Sequence, residues 1–168
     1  MQYVRTQRIF SLIAGLWVGS FITIGFLVVP VLFSSLGDRQ VAGMVAASLF
    51  KVTAYSGVVI CSFLMVTANY LVRQEIARYR STRWLLLGML ACAITAAFIL
   101  IPWMNTLRDQ ALYLGLSVRE STYAALFNRL HGASSAVFMI QAVLGLALVW
   151  RTTKNADSQR FVFNLEAY

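Results

Sequence analysis

Four long uncharged runs separated by short charged segments set the architecture of this chain. Residues 9–36 carry no charge and follow Arg5 and Arg8. Residues 52–72 follow Lys51, residues 84–103 follow Arg83, and residues 130–150 hold His131 as their one titratable nitrogen base. A helix of about 20 apolar residues crosses the hydrocarbon core of a bilayer. The pattern therefore predicts an all-α integral membrane protein with transmembrane helices over about 9–33, 52–72, 84–103 and 130–150. They form a four-helix bundle of two helical hairpins in a single domain, residues 1–150, followed by a polar surface tail, 151–168. The first run exceeds a signal-peptide core and precedes no small-x-small cleavage site, so it is expected to remain as the first membrane helix.

Local signals refine the boundaries. Asp38 has the chemistry of an N-cap for a second helix that starts amphipathically over 39–51. Ser117-x-x-Glu120 has capping-box spacing and predicts that the fourth helix opens there. Helices two and four are thus expected to extend beyond the membrane on its outer side. Pro30 and Pro102 are expected to kink or end the first and third helices, with Trp84 and Trp103 as interface anchors and a polar connection over 105–117.

Helical periodicity suggests inner faces. At about 100° per residue, Asn128, His131, Ser135, Phe138 and Ala142 share one side of helix four, with Ser134 and Gln141 at its edge. A polar stripe in lipid is costly, so this face is expected to look into the bundle. Lys51, Tyr55, Val58, Ser62, Met65 and Asn69 form the corresponding stripe on helix two. Gly15 and Gly19, with Thr23 close by, allow a second helix to approach closely, either within the bundle or from another molecule. A short echo between Ala47-Ser48-Leu49-Phe50-Lys51 and Ala124-Ala125-Leu126-Phe127-Asn128 pairs the two hairpins.

Composition agrees with a lipid-facing chain: 60% of residues are hydrophobic and 12% charged, against about 45–50% and about 25% in soluble domains. The net charge of +8 flanks the apolar runs, which points to the membrane surface and away from nucleic acid. With both termini on one side, that side holds nine Lys and Arg residues against five on the other. The expected location is the bacterial inner membrane, with both termini cytoplasmic.

Catalytic signals are sparse. No carboxylate lies inside a spanning run, and no nucleophile-elbow, zincin or phosphate-loop motif occurs. Lys51, Tyr55, Asn128 and His131 are expected near one another at the outer mouth. There they could move a proton, bind an anion or give haem one axial ligand, or His131 could simply tie helices together. Cys61, Met65, Met89 and Cys92 have spacings that suit Cu(I), and equally suit apolar filling. The expected function is a non-catalytic structural or accessory subunit, with no cofactor, in a larger membrane assembly or homo-oligomer. The alternative is a handler of copper, haem or a small molecule.

Four motifs carry a family resemblance: G-L-W-V-G at 15–19, V-P-V-L-F at 29–33, S-L-F-K at 48–51 and L-F-N-R-L-H-G-A-S-S at 126–135. From about Ile9 to Trp150 the chain resembles a bacterial membrane family of unknown function related to the eukaryotic transmembrane protein 205. That resemblance implies four membrane helices and brings no established reaction. More loosely, the chain is similar to copper-resistance membrane proteins and to the haem-using membrane protoporphyrinogen oxidase. Those groups place histidines early, and the first helix of this chain has none.

Overall fold

The computed structural model describes residues 2–74, 79–118 and 120–165, and it is entirely helical between its turns. Glu75 and Arg78 of the basic loop, and Arg119 within the capping-box sequence, lie outside the described residues. Four rods run up and down: α1 over 2–35, α2 (Arg39–Arg73), α3 (Tyr79–Tyr113) and α4 (Ala124–Leu165). Each contains a stretch long and apolar enough to cross a membrane. At about 1.5 Å rise per residue, the 35 residues of α2 or α3 reach well past a hydrocarbon core of about 30 Å. Each helix packs on its neighbours in sequence, and α1 closes the ring against α4.

The caps are partly as expected. Asp38 accepts bonds from the backbone of Gln40 and Val41 at 2.7 and 3.4 Å, starting α2. At the fourth helix the expectation is corrected. Glu120 does reach back to the Ser117 amide and hydroxyl, at 3.4 and 2.9 Å, but around a turn. Ser121 intervenes by donating to the Val118 carbonyl and accepting from the Tyr123 amide, which diverts the backbone from helical bonding. The α-helix proper begins at Ala124. The polar connection expected over 105–117 is likewise helical as far as Tyr113.

Neither proline ends its helix. Each is preceded by one π-helical turn, Ile24–Val28 before Pro30 and Ala96–Leu100 before Pro102. Proline has no N–H for the carbonyl four residues back, and the wider turn absorbs the mismatch. Val29 N–H bonds to the Ile24 carbonyl and Ile101 N–H to that of Ala96, each five residues back. Part of the buried seam shifts as a result. Tyr79, Thr82, Leu86, Met89 and Ala93 are buried before the turn. Ala97 and Leu100 are buried within it and Leu107 and Ala111 after it; Ala97 and Ala111 fall one residue later than the repeat from Thr82 and Met89 would place them, while Leu100 and Leu107 keep the repeat of Tyr79, Leu86 and Ala93. In α1, buried Phe10, Ala14, Trp17 and Phe21 give way to half-buried Gly25, Val29 and Leu32. The two hairpins share this device at equivalent places.

Small residues, not polar ones, mark the inside. On α2 the buried positions include Ala42, Ala46, Thr53, Ala54, Gly57, Cys61, Leu64, Ala68 and Leu71. The stripe expected there, from Lys51 to Asn69, lies beside this seam, with Lys51, Tyr55 and Asn69 exposed. On α4, Leu130, Gln141, Ala142 and Leu148 are buried while Asn128, His131 and Ser135 are exposed. The expectation of an inward polar stripe thus fails at its outer half. Helical hydroxyls satisfy themselves: Ser135 donates to the His131 carbonyl at 3.0 Å and Thr67 to that of Phe63 at 3.0 Å. Such back-bonding removes the need to turn inward, and close backbone packing decides the face.

Phe138, lower on that stripe, does enter the bundle. Its ring stacks on Phe21 at 4.3 Å and meets Phe50 edge-on at 5.5 Å, so one aromatic joins α1, α2 and α4. The main core gathers Phe10, Trp17, Phe21, Leu64, Leu71, Leu86, Met89 and Leu148. A second cluster, Leu100, Leu107 and Leu130, binds the far ends of α3 and α4.

Candidate functional site

The outer side of α1 carries a groove of about 470 Å³ lined by Gly15, Leu16, Gly19, Ser20, Thr23 and Ile24. It exists because glycine leaves backbone uncovered at successive turns, while Leu16, 72% exposed, forms a ridge beside it. A methyl group added to Gly15 or Gly19 would meet nothing within 4 Å. The in-bundle glycines differ. On Gly57 such a methyl would lie 3.1 Å from Trp17 Cζ2, 3.4 Å from Ala93 Cβ and 3.6 Å from Gln141 Nε2. Of the two roles open to the Gly15–Gly19 pair, packing inside the bundle is therefore the one the structure does not use. Ser20 returns its hydroxyl to the Leu16 carbonyl at 2.8 Å, leaving the groove floor without an unmet donor there.

The outer-mouth residues lie at the surface of α2 and α4. Tyr55 sets its ring edge-on to Phe98 of α3 at 5.6 Å, and His131 stacks parallel to Phe127 of its own helix at 6.5 Å. Arg108 lies over the other aromatic partner in that region, 5.8 Å from the Phe127 ring centroid. Lys51, Tyr55, Asn128 and His131 are all exposed. An open cleft of about 400 Å³ does occur at this end, lined by Thr106, Asp109, Gln110, Tyr113, Leu114 and Tyr123, none of which the helical periodicity marks.

The sulfur residues come closer to the expected grouping. Cys61, Met65 and Met89 belong to the same core, and Cys92 is half-buried on α3. Both cysteines are free. Among the described residues, no three His, Cys, Asp or Glu side chains gather as a metal set.

Two polar groups stand outside the candidate sets read from the sequence. Trp17 is buried with its indole N–H unpartnered, beside the buried side chain of Gln141 at Gly57. At the other end Arg83 Nη1 donates to Asn69 Oδ1 at 3.1 Å, joining α2 to α3, and its buried Nε has no acceptor. A signal for the second does exist, since Asn69 and Arg83 flank the turn of one hairpin.

Four apolar rods whose hydroxyls bond their own backbone, around a core of small residues and aromatics, mark a multi-pass membrane protein of the helix-bundle class. Over residues 12–112 the sequence matches the family described as a domain of unknown function, DUF4149, and the chain belongs to that family. The match takes in most of α1, all of α2 and α3 almost to its end, and stops short of α4 and His131. No curated protein and no solved structure matches the chain.

Proposed function

We propose that the protein is a non-catalytic packing subunit of the bacterial inner membrane, joining a homo-oligomer or larger membrane assembly through the outer face of α1. The observation that carries this reading is the Gly15–Gly19–Ser20–Thr23 groove, which none of the described residues fills. Between lipid-exposed helices, association depends on close packing, and a glycine groove permits backbone approach that a leucine surface prevents. Both termini face the cytoplasm in this proposal, in keeping with the arginines at that end. Kinship with transmembrane protein 205, through the Val29–Phe33 and Leu126–Ser135 motifs, forms part of the same reading.

Crosslinking and sizing in mild detergent, with Gly15→Leu and Gly19→Leu beside the parent chain, tests it. The parent is expected as an oligomer or with a stoichiometric membrane partner, and the variants as lone folded monomers. A parent that remains monomeric and partnerless in every gentle condition overturns the proposal.

The gathering of Cys61, Met65 and Met89 in one core, with Cys92 on α3, favours one second reading, a soft-metal carrier. Elemental analysis of the gently solubilised protein decides it: stoichiometric copper lost on Cys61→Ala supports the carrier, and a metal-free protein after copper loading removes it.

A further inference from the structure

One end of the bundle collects the start of α1, the end of α2, the start of α3 and the body of α4 near Arg151. Its described side chains include Arg5, Arg8, Arg73, Arg80, Arg83 and Arg151 and no carboxylate, whereas Asp38, Asp109 and Glu120 all lie at the opposite end. Phe10 meeting Tyr79 edge-on at 5.3 Å shows that the third turn of α1 and the first turn of α3 stand side by side there. Exposed arginines gathered at one end of a bundle raise a positive potential that draws anions to that surface.

Within the cluster one arginine is built in. Arg83 is half-buried, Asn69 fixes its Nη1 from the neighbouring helix at 3.1 Å, and its Nε is a buried donor without an acceptor. Arg80 stands one turn earlier on α3 and is exposed, as is Arg73 at the end of α2. Residues three apart share a helix face, so Arg80 and Arg83 flank the α2–α3 seam at the level of Trp84, which is 71% exposed. Tryptophan at this depth marks the headgroup layer.

We propose that this end of the α2–α3 hairpin is a binding site for the phosphate of an acidic phospholipid, with Arg83 as the positioned ligand and Arg80 and Arg73 as its electrostatic escort. A guanidinium already held by Asn69 keeps its remaining donors in a planar fork, the geometry that a phosphate oxygen pair matches. A lipid brings an anionic acceptor at headgroup depth together with acyl chains for the exposed apolar flank of Trp84 and Leu87.

The test uses the full chain in neutral detergent, titrated with phosphatidylglycerol, with phosphatidylcholine and with inorganic phosphate, reading bound lipid by native mass spectrometry and stability by thermal unfolding. Phosphatidylglycerol is expected to bind and raise the melting temperature, with phosphatidylcholine weaker by about fivefold or more. Arg83→Gln is expected to weaken phosphatidylglycerol binding by about fivefold, and Arg83→Lys to restore only part because it keeps the charge and loses the fork. Should Arg83→Gln fail to fold, Arg80→Gln, altering an exposed side chain, carries the same prediction. Arg129→Gln at the opposite end is expected to change nothing. Equal binding of the two lipids, undiminished binding by the Arg83 or Arg80 variants, or equal occupancy by inorganic phosphate overturns the proposal.

Discussion

At the residue scale, glycines separate into two kinds that sequence does not distinguish. Gly57 faces Trp17, Ala93 and Gln141 at contact distance, so a larger side chain there forces helices apart. Gly57→Leu is expected to cost about 1–3 kcal/mol, the usual penalty for overpacking, measured as loss of thermal stability in detergent. Gly15→Leu, open to lipid, is expected to leave the melting temperature of the monomer unchanged within about 0.5 kcal/mol. Equal damage from both substitutions would show that α1 packs by another face. Leu86, fully buried between helices, gives a third measure: Leu86→Ala is expected to cost about 2–5 kcal/mol through the cavity it leaves. His131 teaches the complementary lesson. Its stripe reads as polar, yet Ser135 satisfies its hydroxyl on the His131 carbonyl and the face stays outside.

At the element scale, the paired π turns before Pro30 and Pro102 are the feature that a proline in the sequence announces without describing. A proline in an apolar run signals a broken hydrogen bond; whether the helix ends, bends or widens depends on what holds its far half. Here the far half of α3 is held by Leu100 and Leu107 against Leu130, so the helix continues and the turn widens. Deleting the exposed Ile99 from the π turn is expected to convert it to regular helix with little rotation of the distal half of α3. Deleting the equally exposed Leu87 from the regular part rotates the whole distal seam by about 100°. The first variant is expected to purify as a folded species and the second to aggregate, read by size-exclusion profile and yield. The reverse order would mean that the widened turn carries a constraint of its own. The recurrence of this device in α1 and α3, with the Ala47–Lys51 and Ala124–Asn128 echo, makes the two hairpins similar in more than length.

At the scale of the whole molecule, the bundle is closed by α1 against α4 and polarised by charge, arginines without carboxylates at one end and mixed charge at the other among the described residues. The proposed orientation predicts that green fluorescent protein fused to the C-terminus fluoresces, while alkaline phosphatase inserted at Gly37 is active. A fluorescent insertion at Gly37 with active C-terminal phosphatase would reverse the topology.

The number of helices and the Asp38 cap were legible in the sequence because they arise from local physics. A run of apolar residues has one stable use in lipid, and an aspartate before a helix has one nearby donor set to satisfy. The inward faces were not legible, because periodicity offers several stripes of equal spacing and lipid tails do not repel the wrong one as water would. Lys51–Asn69 and Ala54–Leu71 both repeat at helical intervals. Only the backbone approach of neighbouring helices selects the second, through Gly57, Cys61 and Ala68. The same holds for the site: sequence supplied the Gly15–Gly19 pair and Arg83, but only the packed bundle left the glycines uncovered and fixed the arginine on Asn69.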